Sequence, residues 1–203
     1  MWGARRSLLV LVIEGGASMA VFFIAHFGHT NIIKLCARPF ADVEEMNAVL
    51  RDNWNARVKS KDDIYIVGDF WFKGHKEDAL QMLKSMNGRK HLISGNHDRK
   101  YLNSKEFREQ FVEIADLLAI RIEGERLFLS HYPIAEWDGY YKGTWHIYGH
   151  IHNSRGETFN FMKTKDRALN AGADITNFTP VTFEELKLHN GLFKSPEKTV
   201  SIR

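Results

Sequence analysis

Short apolar runs separated by polar segments fill the first half of the chain after residue 18. Residues 21–25, 64–67 and 91–94 are runs of this kind, each only four or five residues long. Such runs, bounded by polar or turn residues, are typical of buried strands. We therefore predict three strands in this half of the chain, with helices between them.

Helices are predicted where apolar residues recur every three or four positions. The first begins at Asp42, because Glu45 three residues later completes a capping box and an apolar face follows. Two more are predicted, over residues 77–86 with an Asn-Gly stop at 87–88, and over residues 104–114.

The second half of the chain is richer in strand-like sequence. Strands are predicted at residues 117–122, 127–130, 145–148 and 168–171, before a short helix at 182–188. Strands alternating with helices, followed by a strand-rich half, favour an α/β fold built from stacked layers. The fold class that we predict is a four-layer αββα sandwich of two mixed sheets flanked by helices.

Residues 1–18 differ from the rest of the chain. Two arginines precede an apolar run at residues 8–13, and Glu14 and two glycines follow it. This order is similar to a secretory signal, but the run is far shorter than a membrane span. We interpret residues 1–18 as an expression leader or a mistranslated start, with a secretory signal as the alternative, and residues 19–203 as one domain.

Composition narrows the possible partners. The 203 residues carry a net charge of +3 and a single cysteine. So small a charge argues against nucleic acid as a partner, and we expect no membrane partner. One cysteine excludes an internal disulfide and is compatible with the cytoplasmic location that we predict. The sequence does not indicate an oligomeric state.

Histidine is the residue type that points to chemistry. Six of the ten histidines follow apolar runs in short segments that contain glycine or serine. A chain that needs only polar surface would use lysine and glutamate instead. The six are His26, His29, His97, His131, His150 and His152.

Four predicted strands end in a small residue followed by a residue type that binds metals. The segments are Gly68-Asp69, Gly95-Asn96-His97-Asp98, Ser130-His131 and Gly149-His150-Ile151-His152. Since ligands collect at the carboxyl ends of strands in layered α/β folds, these side chains are predicted to converge. Carboxylate, amide and neutral imidazole groups suit two divalent ions, which can clamp a phosphoryl group.

The four segments differ in how much they indicate on their own. Gly-Asp and Ser-His are common loop sequences. Gly-His-Ile-His brings both imidazoles to one cluster only if the backbone departs from a flat strand. Gly-Asn-His-Asp has no role in a core, so this segment and the order of all four carry the prediction of a metal site.

In this order the segments resemble the calcineurin-like metallophosphoesterase superfamily, and the segment His26-Phe27-Gly28-His29 is similar to the start of its small stand-alone members. The resemblance covers residues 21–172. It implies hydrolysis of a phosphomonoester or phosphodiester through a hydroxide that bridges two divalent ions. Manganese is the first expectation for these ions, with iron, zinc or nickel as alternatives, and the implied substrate is a small-molecule phosphate ester or a nucleotide.

The resemblance also implies a role for each matching position. Asp69 would bridge the two ions. The other implied ligands are His26 and His152 for the first ion, and Asn96, His131 and His150 for the second. His97 would contact the phosphate and protonate the leaving oxygen, and Asp98 would orient the imidazole of His97.

The first motif of that superfamily, Asp-x-His, is incomplete in this chain. Ile24 stands two positions before His26, where the superfamily has aspartate. The local sequence reads as if two residues were lost between Ala25 and His26. The nearest carboxylates to His26 along the chain are Glu14 and Asp42, so the first ion is predicted to lose one of its two anionic ligands and to keep only the shared Asp69.

Three functions stay open on the sequence. One is an active phosphoesterase, and another is a phosphoesterase-like binding module that has lost catalysis, which the incomplete first motif favours. The third is a nuclease, for which Arg57, Lys59 and Lys61 offer a small basic cluster that is equally typical of a solvated helix end. Side chains that could line a substrate pocket are His29, Arg38, Arg99, Trp137 and Tyr140.

Overall fold

The computed structural model describes the backbone of residues 10–12 and all of residues 19–195. Ten strands form two five-stranded sheets in this part of the chain. The strands are β1 (Val10–Val12), β2 (Ala20–Phe23), β3 (Asp63–Ile66), β4 (Arg89–Ile93), β5 (Glu113–Ala115), β6 (Leu117–Ile122), β7 (Glu125–Ser130), β8 (Trp145–Tyr148), β9 (Ala168–Asn170) and β10 (Val181–Thr182). The helices are α1 (Thr30–Leu35), α2 (Val43–Arg57), α3 (Lys76–Lys84), α4 (Lys105–Arg108), α5 (Glu157–Met162) and α6 (Phe183–Lys194), with a 3₁₀ turn at Tyr140–Lys142.

Parallel pairing places the important strand ends together. The first sheet has the order β10-β2-β3-β4-β5 and the second has the order β1-β6-β7-β8-β9. Strands β2 to β5 are parallel to one another, and so are β7 to β9, whereas β10 and β6 make antiparallel pairs with β2 and β7. The carboxyl ends of neighbouring parallel strands therefore lie at one edge of each sheet.

The apolar core lies in layers on both sides of the sheets. Along β2, Phe22 joins the core between the two sheets, whereas Val21 and Phe23 pack into the cluster that contains α2 and α3. Because both faces of β2 are covered, its sequence is an unbroken apolar run. On the outer face of the second sheet, Met162 of α5 packs against Phe128 of β7. The predicted αββα sandwich of two mixed sheets is confirmed.

The helix predicted over residues 104–114 is wrong after its first turn. Only Lys105–Arg108 is helical, and Glu113–Ala115 forms β5 instead. The N–H of Val112 donates to the carbonyl of Lys90 over 2.8 Å, and β5 continues this pairing along β4. The unpaired edge of β4 therefore recruits a segment whose apolar spacing is helical, since burial and ladder bonds outweigh local preference.

The remaining helices show where periodicity helps. Helix α2 begins at the predicted place, because the side chain of Asp42 accepts from the N–H of Glu45 at 2.8 Å. Helix α6 starts as predicted after Thr182 and extends to Lys194. The six-residue helices α1 and α5 were not predicted, since fewer than two turns give too few apolar positions to show a period.

The segment before residue 19 is described only in part. Val10–Val12 pairs in parallel with the edge of β6, with Val10 opposite Ala119. The rest of residues 1–18 lies outside the described residues, so the leader and the single domain of residues 19–203 stay predictions. Within the described part, none of the helices has the length and apolar content that crossing a bilayer requires. The cytoplasmic location also stays a prediction.

Candidate metal centre

The candidate ligands come from the carboxyl ends of parallel strands in both sheets. His26 and Asp69 follow β2 and β3 of the first sheet. His131 and His150 follow β7 and β8 of the second. Ligand atoms of Asp69, His131 and His150 all lie within 4.8 Å of one another, a group that could hold a metal ion. The two sheets therefore contribute to one cluster at one end of the sandwich.

Asp69 and His131 join the two sheets at the centre of this cluster. The Oδ2 atom of Asp69 lies 3.1 Å from Nε2 of His131, while Nδ1 of His131 lies 3.0 Å from the carbonyl oxygen of Val67. Burial alone would raise the pKa of Asp69, but His131 outweighs it and the pKa is lowered. The pKa of His131 is raised by Asp69 in spite of burial, so a bound cation would displace a proton from this pair.

His26 is buried without a hydrogen-bond partner for either ring nitrogen. Its Nε2 atom lies 3.4 Å from Oδ2 of Asp69, and its ring centroid lies 4.5 Å from that of His152. Burial, and next the nearby His152, hold the pKa of His26 well below its usual value. A neutral, buried and unpartnered imidazole beside a carboxylate is the form that a metal ligand takes, so the donor set fits a divalent cation.

Left-handed backbone conformations are concentrated in the cluster. Eight non-glycine residues of the described chain have positive φ, and four of them are candidate ligands. These four are His26, Asp69, His150 and His152, with φ between 52° and 66°. Such conformations are unfavourable for side chains with a Cβ, so they persist where the surrounding structure holds them, often at functional sites.

The Gly-His-Ile-His segment leaves the strand before its first histidine. Strand β8 ends at Tyr148, and positive φ values at both histidines turn the backbone. The side chain of Asn170 in β9 donates to the carbonyl of His152 over 2.8 Å and holds the turn. The backbone therefore departs from a flat strand here, as both imidazoles require if they are to reach one cluster.

Asn96 and His97 approach the cluster from the loop after β4. The Oδ1 atom of Asn96 lies 3.1 Å from Nε2 of His131, and the N–H of His97 donates to Oδ1 of Asp69 over 2.8 Å. The ring centroid of His97 lies 5.9 Å from that of His26 and 4.5 Å from that of Phe72, in a T-shaped contact with Phe72. Burial lowers the pKa of His97, an effect that the charge of Asp69 opposes.

The structure gives Asp98 a different role from the predicted one. Its Oδ2 atom accepts from the N–H groups of Asp69 and Gly95, and Oδ1 accepts from the N–H of Phe70. The side chain is fully buried, and burial raises its pKa to about 6. Both oxygens are engaged by backbone rather than by the His97 ring, so Asp98 ties the loop after β3 to the loop after β4.

Asp174 is the residue at this site that sequence reasoning missed. Its Oδ2 atom lies 3.4 Å from Nδ1 of His152, with the side chain 2% exposed. It follows β9 across Gly172 and Ala173, which is the same pattern of strand, small residue and metal-binding type seen elsewhere. Applying that rule once more would have found it. Within the described part of the chain, the carboxylate beside His152 is thus one that is distant along the sequence.

Asp174 belongs to a buried ion pair. Arg38 donates from Nε to Oδ1 of Asp174 at 2.7 Å and from Nη2 to Oδ2 at 3.0 Å, and its Nη1 also donates to the carbonyl of Ala25 at 3.2 Å. Cys36, His152 and Asp174 form a second group whose ligand atoms lie within 4.8 Å. Burial and the charge of Asp174 raise the pKa of the Cys36 thiol to about 11, so the thiol stays protonated at neutral pH.

The other predicted pocket residues divide between two places. A cavity of about 340 Å³ at the cluster is lined by His29 among others, and Arg99 lines a neighbouring cavity. Trp137 and Tyr140 pack together on the outer side of the second sheet, in the cluster that contains Phe128. These two aromatic residues stabilise that layer.

The basic cluster considered for nucleic acid lies at the other end of the sheet. Arg57 ends α2, and Lys59 and Lys61 precede the amino end of β3, whereas the candidate ligands follow carboxyl ends. Arg57 is paired with the carboxylate of Glu185. The cluster is therefore a solvated helix end and not part of the metal centre.

Comparisons with known proteins relate the chain to proteins whose names carry no activity. No family model matches. The uncharacterized protein MJ1445 of Methanocaldococcus jannaschii is 35% identical over 160 residues, which cover 78% of this chain and 83% of the relative. The crystal structure of AQ665 from Aquifex aeolicus, described as a protein of unknown function, is similar with a TM-score of 0.67 at 27% identity. That match covers 84% of this chain and 98% of the other.

A more distant structural match is to an enzyme. The structure of a novel archaeal phosphodiesterase has a TM-score of 0.42 at 16% identity, covering 75% of this chain and 81% of that one. A likeness at that level establishes no activity for this chain.

Proposed function

Because the chain belongs to the family of the uncharacterized protein MJ1445, whose name assigns no activity, we propose a function from the geometry of the site. The protein is a metal-dependent phosphoesterase that hydrolyses a phosphomonoester or phosphodiester at a centre of two divalent ions. One observation carries the proposal: buried His26 has two unpartnered ring nitrogens and lies 3.4 Å from the Asp69 carboxylate, which also contacts His131.

The proposed ligands divide into two sets that share Asp69. His26 and His152 complete the first set, since their ring centroids lie 4.5 Å apart. Asn96, His131 and His150 complete the second. Manganese is the first candidate for both ions, with iron, zinc or nickel as alternatives, because imidazole and oxygen donors suit all of them.

The side chains around the ions have separate tasks in this proposal. Divalent ions at these positions supply a water of lowered pKa and neutralise charge on the phosphoryl oxygens. Asp69 is ionised and is held in place by the N–H of His97. His97 borders the cavity and is proposed to contact the phosphate and donate a proton to the leaving oxygen. Asp98 positions the loops that carry these two residues.

The two ions are expected to bind with different affinities. The first set has only the shared carboxylate, because Ile24 stands where an aspartate would complete it and is 1% exposed in the core. Losing a carboxylate weakens the attraction for a divalent cation. Titration of metal-free protein with Mn²⁺ should therefore give one tight and one weaker site. Two equally tight ions would contradict this assignment of the ligands.

Two variants separate ligand from acid. Asp69→Ala should remove metal and activity together, because this carboxylate is proposed to hold both ions. His97→Ala should retain metal and lower turnover about a hundred- to ten-thousand-fold, the usual contribution of general acid catalysis. The loss should shrink for nitrophenyl esters, whose leaving group needs little protonation. Metal content and turnover are measured for both variants on a good and a poor leaving group.

The outcomes of this experiment discriminate between the roles. Loss of metal in His97→Ala would make His97 a ligand. An equal loss on both leaving groups would make it a group that positions phosphate. Absence of metal from the wild-type protein grown and purified with Mn²⁺ would contradict the proposal as a whole.

A binding module that has lost catalysis is the second candidate, and Ile24 is the observation that favours it. Its side chain lies in the core between the sheets and leaves no acidic group at that position. A module of this kind would bind metal and phosphate esters without turning them over. Metal analysis beside an assay on nitrophenyl mono- and diesters separates the two candidates.

A further inference from the structure

A second cavity opens beside the metal centre. It has a volume of about 400 Å³. Its lining residues are Phe72, Lys73, Asn96, His97, Arg99 and Lys100. His97 lines both this cavity and the one at the candidate ligands, so it stands at the boundary between them.

Three of the lining side chains are cations that have no acidic partner in the part of the chain that the structure describes. Lys73, Arg99 and Lys100 are exposed, and none of them makes an ion pair with a described acidic residue. The two lysines are close enough that Lys73 adds to the effect of burial in lowering the pKa of Lys100. Like charges held together at a cavity repel one another, and an anion placed among them relieves that repulsion.

The wall that carries these cations is held in place. The ring of Phe72 stacks on His29 with centroids 3.5 Å apart, and Nζ of Lys100 donates to the carbonyl of Phe72 over 2.6 Å. The Nδ1 atom of His29 in turn accepts from the N–H of Ile32 in α1. The wall of the cavity that contains Phe72 is therefore fixed by His29 at the amino end of α1. Another wall is formed by the loop that carries Asn96 and His97.

The position of His97 indicates which part of the substrate would occupy this cavity. In the proposed reaction His97 faces the leaving oxygen, so the space beyond it lies on the leaving-group side of the phosphoester. Three cations there fit a leaving group that carries its own negative charge. Amine and guanidinium donors bind carboxylate or phosphate through charge-assisted hydrogen bonds, and phosphate is the anion already present in a substrate of this class.

We propose that this cavity is a cationic subsite, formed by Lys73, Arg99 and Lys100, that binds a second phosphate group on the leaving-group side of the substrate. The inference rests on the proposed phosphoesterase function for its direction. The second phosphate belongs either to a small bisphosphate or to the next link of a short oligonucleotide, and both sources share the same chemistry at the subsite.

Two matched pairs of substrates test the subsite and distinguish the sources. Phenyl phosphate and 1,4-phenylene bisphosphate share a scissile ester and differ by one phosphate on the leaving group. The thymidine dinucleotide and trinucleotide differ by one further phosphodiester. With Mn²⁺-loaded protein, the extra phosphate should raise kcat/KM per scissile bond about tenfold in one pair, which corresponds to about 1.4 kcal/mol. The pair that responds identifies the source.

Charge-removing variants show whether the gain comes from the subsite. In Lys73→Gln/Lys100→Gln the ratio of kcat/KM within the responding pair should fall to near one. A general loss of activity cancels in that ratio. Lys59→Gln/Lys61→Gln removes the same charge from the other end of the sheet and should keep the wild-type ratio. Lys73→Gln alone should give a partial fall in the ratio, because Lys100 keeps its charge. This single variant also leaves intact the hydrogen bond from Lys100 to the Phe72 carbonyl.

A binding experiment tests the subsite without catalysis. Inorganic tripolyphosphate is titrated into metal-free protein by calorimetry, and its Kd should rise at least about fivefold in Lys73→Gln/Lys100→Gln but not in Lys59→Gln/Lys61→Gln. If no substrate is hydrolysed yet this difference is seen, the phosphoesterase proposal fails and the subsite stands. Equal ratios and equal Kd values in the two double variants would overturn the subsite.

Discussion

Replacing Asp174 by asparagine is a sharp test of how the site is supported. Asp174 and Arg38 form a bidentate pair whose side chains are 2% and 0% exposed. The same carboxylate lies 3.4 Å from Nδ1 of His152. Asparagine keeps the shape and one acceptor oxygen but removes the charge. The substitution therefore leaves a buried guanidinium without a counter-ion and weakens the group that orients His152.

Two magnitudes follow from this geometry. Breaking a buried ion pair from one side costs about 3–5 kcal/mol of unfolding free energy, and the retained oxygen places the expectation near the lower value, about 3 kcal/mol. Removing the partner of the second nitrogen of a metal-binding histidine lowers metal affinity by about ten- to a hundredfold. The effect on affinity should fall on the ion that His152 binds and spare the other.

Each magnitude has its own assay. Urea unfolding in EDTA measures the free energy of unfolding without metal. Competition with a chromogenic chelator for Mn²⁺ measures the two affinities. Asp52→Asn is the matched control, because its pair with Arg51 has side chains that are 67% and 40% exposed. Such surface pairs contribute about 0–1 kcal/mol, so the control should be close to wild type in both assays.

A double variant shows whether the loss of unfolding free energy in Asp174→Asn comes from the unpaired charge of Arg38. Arg38→Gln/Asp174→Asn removes both charges, so it should be more stable than Asp174→Asn alone, although it also changes the hydrogen bond to Ala25. Stability of Asp174→Asn within about 0.5 kcal/mol of wild type would refute the argument from the buried pair. Unchanged affinity for both ions would refute the role of Asp174 in orienting His152.

Three further predictions concern other parts of the chain. Deleting residues 1–18 should leave the melting temperature unchanged within error, and a large loss would make the edge strand in this segment part of the domain. Burial lowers the pKa of His146 from its usual 6.5 to about 4, so stability should fall as pH drops from 6.5 to 4. At about 1.36 kcal/mol per pKa unit the fall is about 3 kcal/mol larger than in His146→Gln, and equal slopes in urea unfolding would contradict it. Gly68→Ala should cost more than about 1 kcal/mol and lower Mn²⁺ affinity, because its φ is +87° and a Cβ there meets the ring of His131. Gly124→Ala has a similar φ of +85° and open space, so it should share the backbone strain and keep the affinity.

The strands that carry the candidate ligands could be predicted from the sequence. The runs at residues 64–67 and 145–148 each lie within a residue of the strands β3 and β8 in the structure. Both faces of these strands are buried, so their sequences are unbroken apolar runs that can be recognised locally. The residue types that follow each strand are also local, so the candidate cluster could be proposed before any fold was known.

The predictions that failed depend on contacts that no local pattern records. Residues 113–115 became a strand because β4 offered an unpaired edge. The oxygens of Asp98 were taken by three backbone N–H groups on loops that meet only in the folded chain. The resemblance implied that Asp98 orients His97, whereas in the folded chain its carboxylate joins the loop after β3 to the loop after β4.

What the sequence determined by itself is the layered fold and the set of metal-binding residue types at strand ends, since both follow from local periodicity and strand termini. Only the tertiary structure decided which carboxylate lies beside His152. Asp174 lies 136 positions from Arg38 in the chain, yet the two are in hydrogen-bond contact beside His152. Pairing over such a separation is decided by how β2 and β9 come together across the two sheets, and no periodicity in the sequence reports it.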